Sequence, residues 1–364
     1  MIIELSDTTS SEIASALVKA RRHAGSPAMG MVGTVVVVAD EASHHDALKA
    51  ANSAGREHPS RALVVITRPG RGKGSLDAEV RIGEGVPGEA VLLRLHGELA
   101  KHAASVVMPL LLPDSPVVVW WPVGGPKVPA TDPLGTLGKR RVTDAAATRR
   151  AAVDFESRAE GYAPGDTDFA WSRLTPWRAL LAAALDQYPT KVSGASVASA
   201  KGNTSADLLA AWLECRLKVP VELKTSRGPG ITAVRLAVPD GEIALTRPDG
   251  KVATFSIPGQ PDRPVALHRR APAELLSEEL RRLDPDDVYA ETLRCLVDRQ
   301  HQPAPSGKGA KAAAAPRRTA NASRAEAKKT HTKASTARSA AKTSAVRKAG
   351  AKAVAKKSSK KAGA

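Results

Sequence analysis

The sequence predicts an α/β N-terminal domain with a mostly buried sheet over residues 1–163, an α+β domain containing an antiparallel meander over 164–302, and a disordered basic tail over 303–364. Three observations carry this. The first half alternates amphipathic segments with short, dense apolar runs, as when helices cover both faces of a sheet. Residues 221–257 hold four strand-like segments separated by tight-turn sequences. After Gln302 the chain has no Leu, Ile, Phe, Tyr or Trp and cannot bury enough apolar area to fold.

The net charge of +17 belongs to the tail. Residues 301–364 carry 17 basic side chains against the single acid Glu326, whereas residues 1–300 carry 37 basic and 36 acidic ones. The body is therefore electrostatically ordinary, and 300 residues suffice for roughly two cores without covalent staples. Two cysteines, Cys215 and Cys295, are too few for a disulfide framework or a multi-thiolate zinc site. With no signal-peptide pattern at MIIELSDTTS and no apolar run near the ~18 residues of a membrane span, the expected location is cytoplasmic, without membrane contact.

Taken in order, Thr9-Ser10-Ser11-Glu12 caps a first helix that runs to Gly25. The strand MVGTVVVVAD follows, then a helix over 41–54, strands at 62–67, 78–82 and 91–95, and a helix over 98–108. The run PVVVWWP (116–122) is a buried strand bounded by prolines. A long helical segment covers 168–187, a strand 191–198 and a helix 205–218. VELKTS, ITAVRLAV, EIALTR and KVATFSI then read as sequential antiparallel strands with one buried face. Two closing helices, with Leu276, Leu280 and Leu283 on one and Tyr289, Leu293 and Leu296 on the other, fit that face. Asp284 is placed to cap the second, with Pro285 as its first residue.

No catalytic constellation emerges. Gly70-Arg71-Gly72-Lys73-Gly74-Ser75 lacks the spacing of a phosphate loop and leads into a strand. His44, His45, His96 and His102 lack the spacing of a zinc site, and Ser60 beside His58 lacks a nucleophile elbow. The sequence accordingly predicts no catalytic residue, no metal site and no cofactor. The densest stretch is 165–178, which holds three of the eleven aromatics. Asp166 and Asp168 read as helix N-caps rather than a metal site, and Thr175-Pro176 as a kink or second helix start. Trp177 heads an apolar stripe through Leu181 and Ala184 and is expected in the core. Arg173 and Arg178 stand off that stripe, where solvation, pairing with acids and an interface role all remain open. One of Trp120 and Trp121 is expected to face outward at its strand end. Trp171, Arg173, Arg178 and Trp121 are accordingly the candidate partner-binding residues.

Several ordered blocks resemble a known family: Glu57-His58-Pro59-Ser60-Arg61, the run from Leu111 to Pro122, Asp132-Pro133-Leu134-Gly135, the run from Gly165 to Arg173, and Arg281-Arg282-Leu283-Asp284 with Tyr289. Over residues 1–300 the chain is similar to the OpcA family of glucose-6-phosphate dehydrogenase assembly proteins. The resemblance implies a non-enzymatic partner that binds the dehydrogenase, promotes its active oligomer and supports NADPH supply through the oxidative pentose phosphate pathway. It implies no catalytic residues and does not extend to the tail. Pro176 departs from the family pattern. The alternative is a DNA-associated protein binding phosphates through tail lysines such as Lys328, Lys329, Lys356, Lys357, Lys360 and Lys361, in a salt-dependent and sequence-independent way. An enzyme acting on a sugar phosphate through the α/β half is the weakest of the three readings.

Overall fold

The computed structural model describes residues 1–24, 30–83 and 88–301; the tail expected to be disordered lies outside them. The first half contains β1 (Ile2–Leu5), α1 (Ser10–Ala24), β2 (Gly33–Ala39), α2 (His44–Ala54), β3 (Ser60–Arg68), β4 (Ser75–Ile82), β5 (Glu89–His96), α3 (Ala103–Val107), β6 (Val117–Trp121), β7 (Arg140–Thr143) and α4 (Ala151–Glu160). These strands and β8 (Asp166–Asp168) form one sheet in the order β1-β4-β5-β3-β2-β6-β7-β8. From β5 to β8 the ladders are parallel, while β4 and β1 run antiparallel at one edge.

Both faces of the central strands β2, β3 and β6 are buried, which is why these strands are continuous apolar runs. Val36, Leu63, Leu93 and Val119 face Ile13 and Leu17 of α1 and Val107 of α3. Val37, Val64, Leu92 and Val118 face Leu48 and Ala51 of α2. Neighbouring Trp120 and Trp121 therefore enter opposite cores, at 1% and 4% exposure. The expectation that one of them faces outward is corrected: the strand end is covered on both sides.

Beyond β8 come α5 (Phe169–Ser172), α6 (Thr175–Gln187), β9 (Gly194–Ser199), α7 (Thr204–Leu217), β10 (Val221–Thr225), β11 (Ile231–Val238), β12 (Gly241–Thr246), β13 (Val252–Ser256), β14 (Arg263–Ala266), α8 (Pro272–Arg281) and α9 (Asp287–His301). The predicted long helix over 168–187 is thus a strand end and two helices. Asp168 caps the first by accepting from Ala170 N (2.8 Å), and Pro176 sits in the first turn of the second, where its missing N–H costs nothing.

The second sheet has the order β10-β9-β11-β12-β13-β14. Strands β11 to β14 form the expected meander, but β10 is not its first member. It lies parallel to β9 across the α7 crossover, and β9 separates it from β11. Val234, Leu236, Ile243, Leu245 and Phe255 line the inner face against Leu208, Leu209 and Leu213 of α7, with Tyr289, Leu293 and Leu296 of α9 in the same core. The other closing helix departs from expectation: Leu275 and Leu276 of α8 join the core of the first sheet with α2. Both closing stripes are apolar, and periodicity says only that each needs a core, not which one. The cap of α9 also shifts: Asp286 accepts from Tyr289 N (3.0 Å), while Asp284 meets Lys139 (3.3 Å). Cys215 and Cys295 are joined in a disulfide between α7 and α9, with Cα atoms 6.3 Å apart. Two cysteines make no framework, but they do make this one bond.

Candidate functional site

In parallel α/β sheets ligands gather at the carboxyl ends of the strands. Here those ends are occupied by the protein itself. After β2, Asp40 accepts from Ser43 N (2.8 Å) and from its hydroxyl, and Glu41 is paired with Arg68 (2.6 Å) and Arg94 (3.0 Å). After β7 and β8, Asp168 is 1% exposed and accepts from Thr143 Oγ1 (2.6 Å), Ala145 N (3.0 Å) and Ala170 N (2.8 Å), with Arg158 Nη1 at 3.7 Å. Neighbouring Asp144 receives both ends of the Arg173 guanidinium, at 2.8 and 2.7 Å. Burial and the Asp144 charge push the Asp168 carboxyl above its ordinary range, while burial of Arg173 is outweighed by Asp144, which holds its guanidinium more firmly charged. The chain reaches this geometry through Gly165, whose φ of +95° and whose missing Cβ, which would lie 2.5 Å from Lys139 O, allow the turn into β8.

A second cluster surrounds an open pocket of about 330 Å³ between the start of α6 and the α8–α9 junction. Trp171 is buried there at 2% exposure, and its indole N–H donates to Asp286 (2.8 Å). The Arg178 guanidinium stacks on its ring, 3.6 Å from the centroid. Every acid in the pocket is engaged. Glu279 accepts from Arg140 Nε (2.6 Å) and from Ser172. Glu278 accepts from Thr175 Oγ1 (2.6 Å) and Arg270. Asp286 accepts from Trp171 and Tyr289 N.

Arg178 is left over. Among the described residues the one hydrogen bond of its side chain runs from Nη2 to Thr175 Oγ1 (3.2 Å), its buried Nε has no partner, and no carboxylate lies within ion-pair distance. Burial lowers its pKa against the opposing pull of Asp286, Glu278 and Glu279. Burial raises the Glu279 carboxyl against the opposing pull of Arg140 and the hydrogen bond from Ser172. A half-buried guanidinium with free donors is suited to an incoming carboxylate or other oxyanion.

The structure thus brings Trp171 and Arg178 together at one pocket and assigns Arg173 to the closed cluster five positions away. Trp121 is internal, with its ring against Gly125 and Gly135. The six tail lysines lie outside the described residues. Sequence reasoning missed Arg140, Glu279, Asp144 and Arg158. The available signal was the charged pair Arg140-Arg141 beside a buried strand, which demands buried acids without saying which. Among the described residues no group of His, Cys, Asp and Glu is arranged to hold a metal ion, and no helix is long and apolar enough to cross a membrane.

Two family models match the chain in order. Residues 51–160 match the glucose-6-phosphate dehydrogenase subunit N-terminal domain of the OpcA type, and residues 164–293 the corresponding C-terminal domain. No curated protein matches. Among solved structures, an oxidoreductase from Sinorhizobium meliloti shares 10% identity over 73% of this chain and 95% of its own, at a TM-score of 0.41. One described as trehalose-6-phosphate from E. coli bound with UDP-2-fluoro glucose shares 13% over 53% of this chain and 65% of its own, at 0.21. At such scores neither bears on fold or chemistry.

Proposed function

The chain belongs to the OpcA family of glucose-6-phosphate dehydrogenase subunits, and from that premise we propose that it is a non-catalytic assembly factor and allosteric activator of the dehydrogenase. The observation that carries this reading is the pair of family matches, in order, over residues 51–160 and 164–293. They also support a division near residue 163, although β8 and α8 return to the first sheet. The engaged carboxylates at the strand ends support a non-catalytic role, because a general acid or base must present a titrating oxygen to its substrate. A cytoplasmic location goes with this reading.

The mechanism is linkage. A subunit that binds the active oligomer better than the inactive one shifts the population by its differential affinity, and ~1.4 kcal/mol gives a tenfold shift. We assign the docking contact to the pocket of Trp171 and Arg178. Arg178 offers free donors on a rigid aromatic platform, the composition typical of interface anchors; Trp171 holds it in place from beneath. Arg173 and Trp121, though candidates from the sequence, act from inside the fold. The DNA-binding alternative rests on tail charge alone, and nothing among the described residues adds to it. Size-exclusion chromatography of the dehydrogenase mixed with this protein tests the reading: a co-migrating complex is expected, and separate elution at micromolar concentrations of both would overturn it.

A further inference from the structure

A second pocket, of about 280 Å³, is lined by α2, the turn that follows it and Arg81 of β4. His45, Lys49 and Asn52 share one stripe of α2 at i, i+4 and i+7, Arg56 follows in the turn after the helix, and Arg81 comes from β4. Buried Leu48 forms part of the wall. No carboxylate lines this pocket. Arg81 is tied through Nε to Glu79 (2.6 Å), and among the described residues its two Nη groups have no partner. Among the described residues neither the Lys49 ammonium, nor the Arg56 guanidinium, nor the Asn52 amide has a hydrogen-bond or ion-pair partner. A position near the helix C-terminus, where a cation complements the dipole, accounts for Arg56 but not for Lys49 or Arg81.

We infer that this pocket binds the phosphate group of a small phosphomonoester. Three cations around one concavity focus positive potential where a low-dielectric wall excludes part of the solvent. A phosphate brings close to two negative charges and three acceptor oxygens, matching the donors of Lys49, Arg56 and Arg81. A single carboxylate side chain would leave most of that charge unanswered. The volume approaches the lower end of small-molecule sites, so the organic body of the ligand fits beside Leu48 and His45. A nucleic acid is disfavoured, because no aromatic side chain lines the pocket to stack a base. This inference stands apart from the docking proposal and uses none of its residues.

The test is isothermal titration calorimetry of the full chain with inorganic phosphate and with glycerol 3-phosphate, at fixed ionic strength and without the dehydrogenase. The variant is Lys49→Gln/Arg56→Gln, whose side chains are exposed and unpaired, so that unchanged thermal melting shows the fold intact. The tail attracts phosphate equally in both proteins, so the difference between them reports the pocket. The expected result is one saturable site per chain for both ligands, no binding of glycerol, and at least tenfold weaker binding in the variant. Equal isotherms for the two proteins would overturn the inference. So would binding of a decaglutamate peptide that depends on Lys49 and Arg56 without any saturable phosphate site, since the pocket would then receive an acidic protein segment.

Discussion

Arg173 and Arg178 lie five positions apart and live under opposite conditions. Arg173 gives both ends of its guanidinium to Asp144, beside a buried Asp168 that accepts from Thr143 and lies 3.7 Å from Arg158. Arg178 rests on Trp171 above an open pocket with most of its donors unused. Both arginines have the same chemistry and similar sequence surroundings. What separates them is whether the fold supplies a carboxylate. A charge that the fold has answered holds the structure together, and a charge left unanswered is available to a partner.

The largest expected effect falls on the closed side. Arg173→Ala leaves Asp144 buried beside Asp168 without its counter-ion, and breaking such a pair costs ~3–5 kcal/mol, read as a lowered urea midpoint. Asp144→Leu/Arg173→Met, which removes both charges, should recover most of that loss. A variant as stable as the parent after Arg173→Ala would erase the distinction between the two sites.

On the open side the effect should move from stability to binding. Arg178→Ala should change unfolding free energy by less than ~1 kcal/mol, as for a side chain outside the major destabilising mechanisms. It should weaken binding of the dehydrogenase by ~2 kcal/mol, the scale of an interface anchor. Calorimetric titration against the dehydrogenase checks this. Arg178→Lys sharpens the comparison: it keeps the charge but loses the planar stack and fork, and should cost ~0.5–1 kcal/mol of binding.

The smallest effect concerns acid. Burial works to raise the Asp286 pKa, but hydrogen bonds from Trp171 and Tyr289 N and the charges of Arg178 and Arg282 outweigh it and hold the carboxyl below its ordinary range. A depressed carboxylate adds stability that is present above its unfolded pKa and lost as pH falls through the folded one. Asp286→Asn should therefore lower stability at neutral pH and flatten the acid limb of the profile below about pH 4, where an unperturbed Asp titrates. Melting temperatures at a series of pH values read this directly.

Much of the fold is legible in the sequence because its strongest elements are set by local pattern. The runs at 33–39, 60–68 and 117–121 are apolar on both faces since both faces are covered, and the Pro-Asp-Gly turns at 239–241 and 248–250 separate true hairpin strands. Short elements such as β1, β7 and β14 are not legible in the sequence because four residues show no usable period. The position of β10 is hidden for a different reason: strand order depends on the α7 crossover, not on any residue within the strand. The same limit governs the site. Trp171 and Arg178 are visible as an aromatic and a cation outside the main stripe. The fate of Arg173 was not, because Asp144 lies 29 residues away in sequence.

The most direct measurement is the rate of the host's glucose-6-phosphate dehydrogenase, titrated with the full-length protein and with its Arg178→Ala variant. The account predicts a saturable rise in rate with the parent chain, and the same plateau reached at about thirtyfold higher concentration with the variant, the shift that ~2 kcal/mol imposes. A rate that stays flat at every concentration of the parent protein would contradict the activator role. Identical titrations for parent and variant would instead keep that role and remove Arg178 from its docking surface.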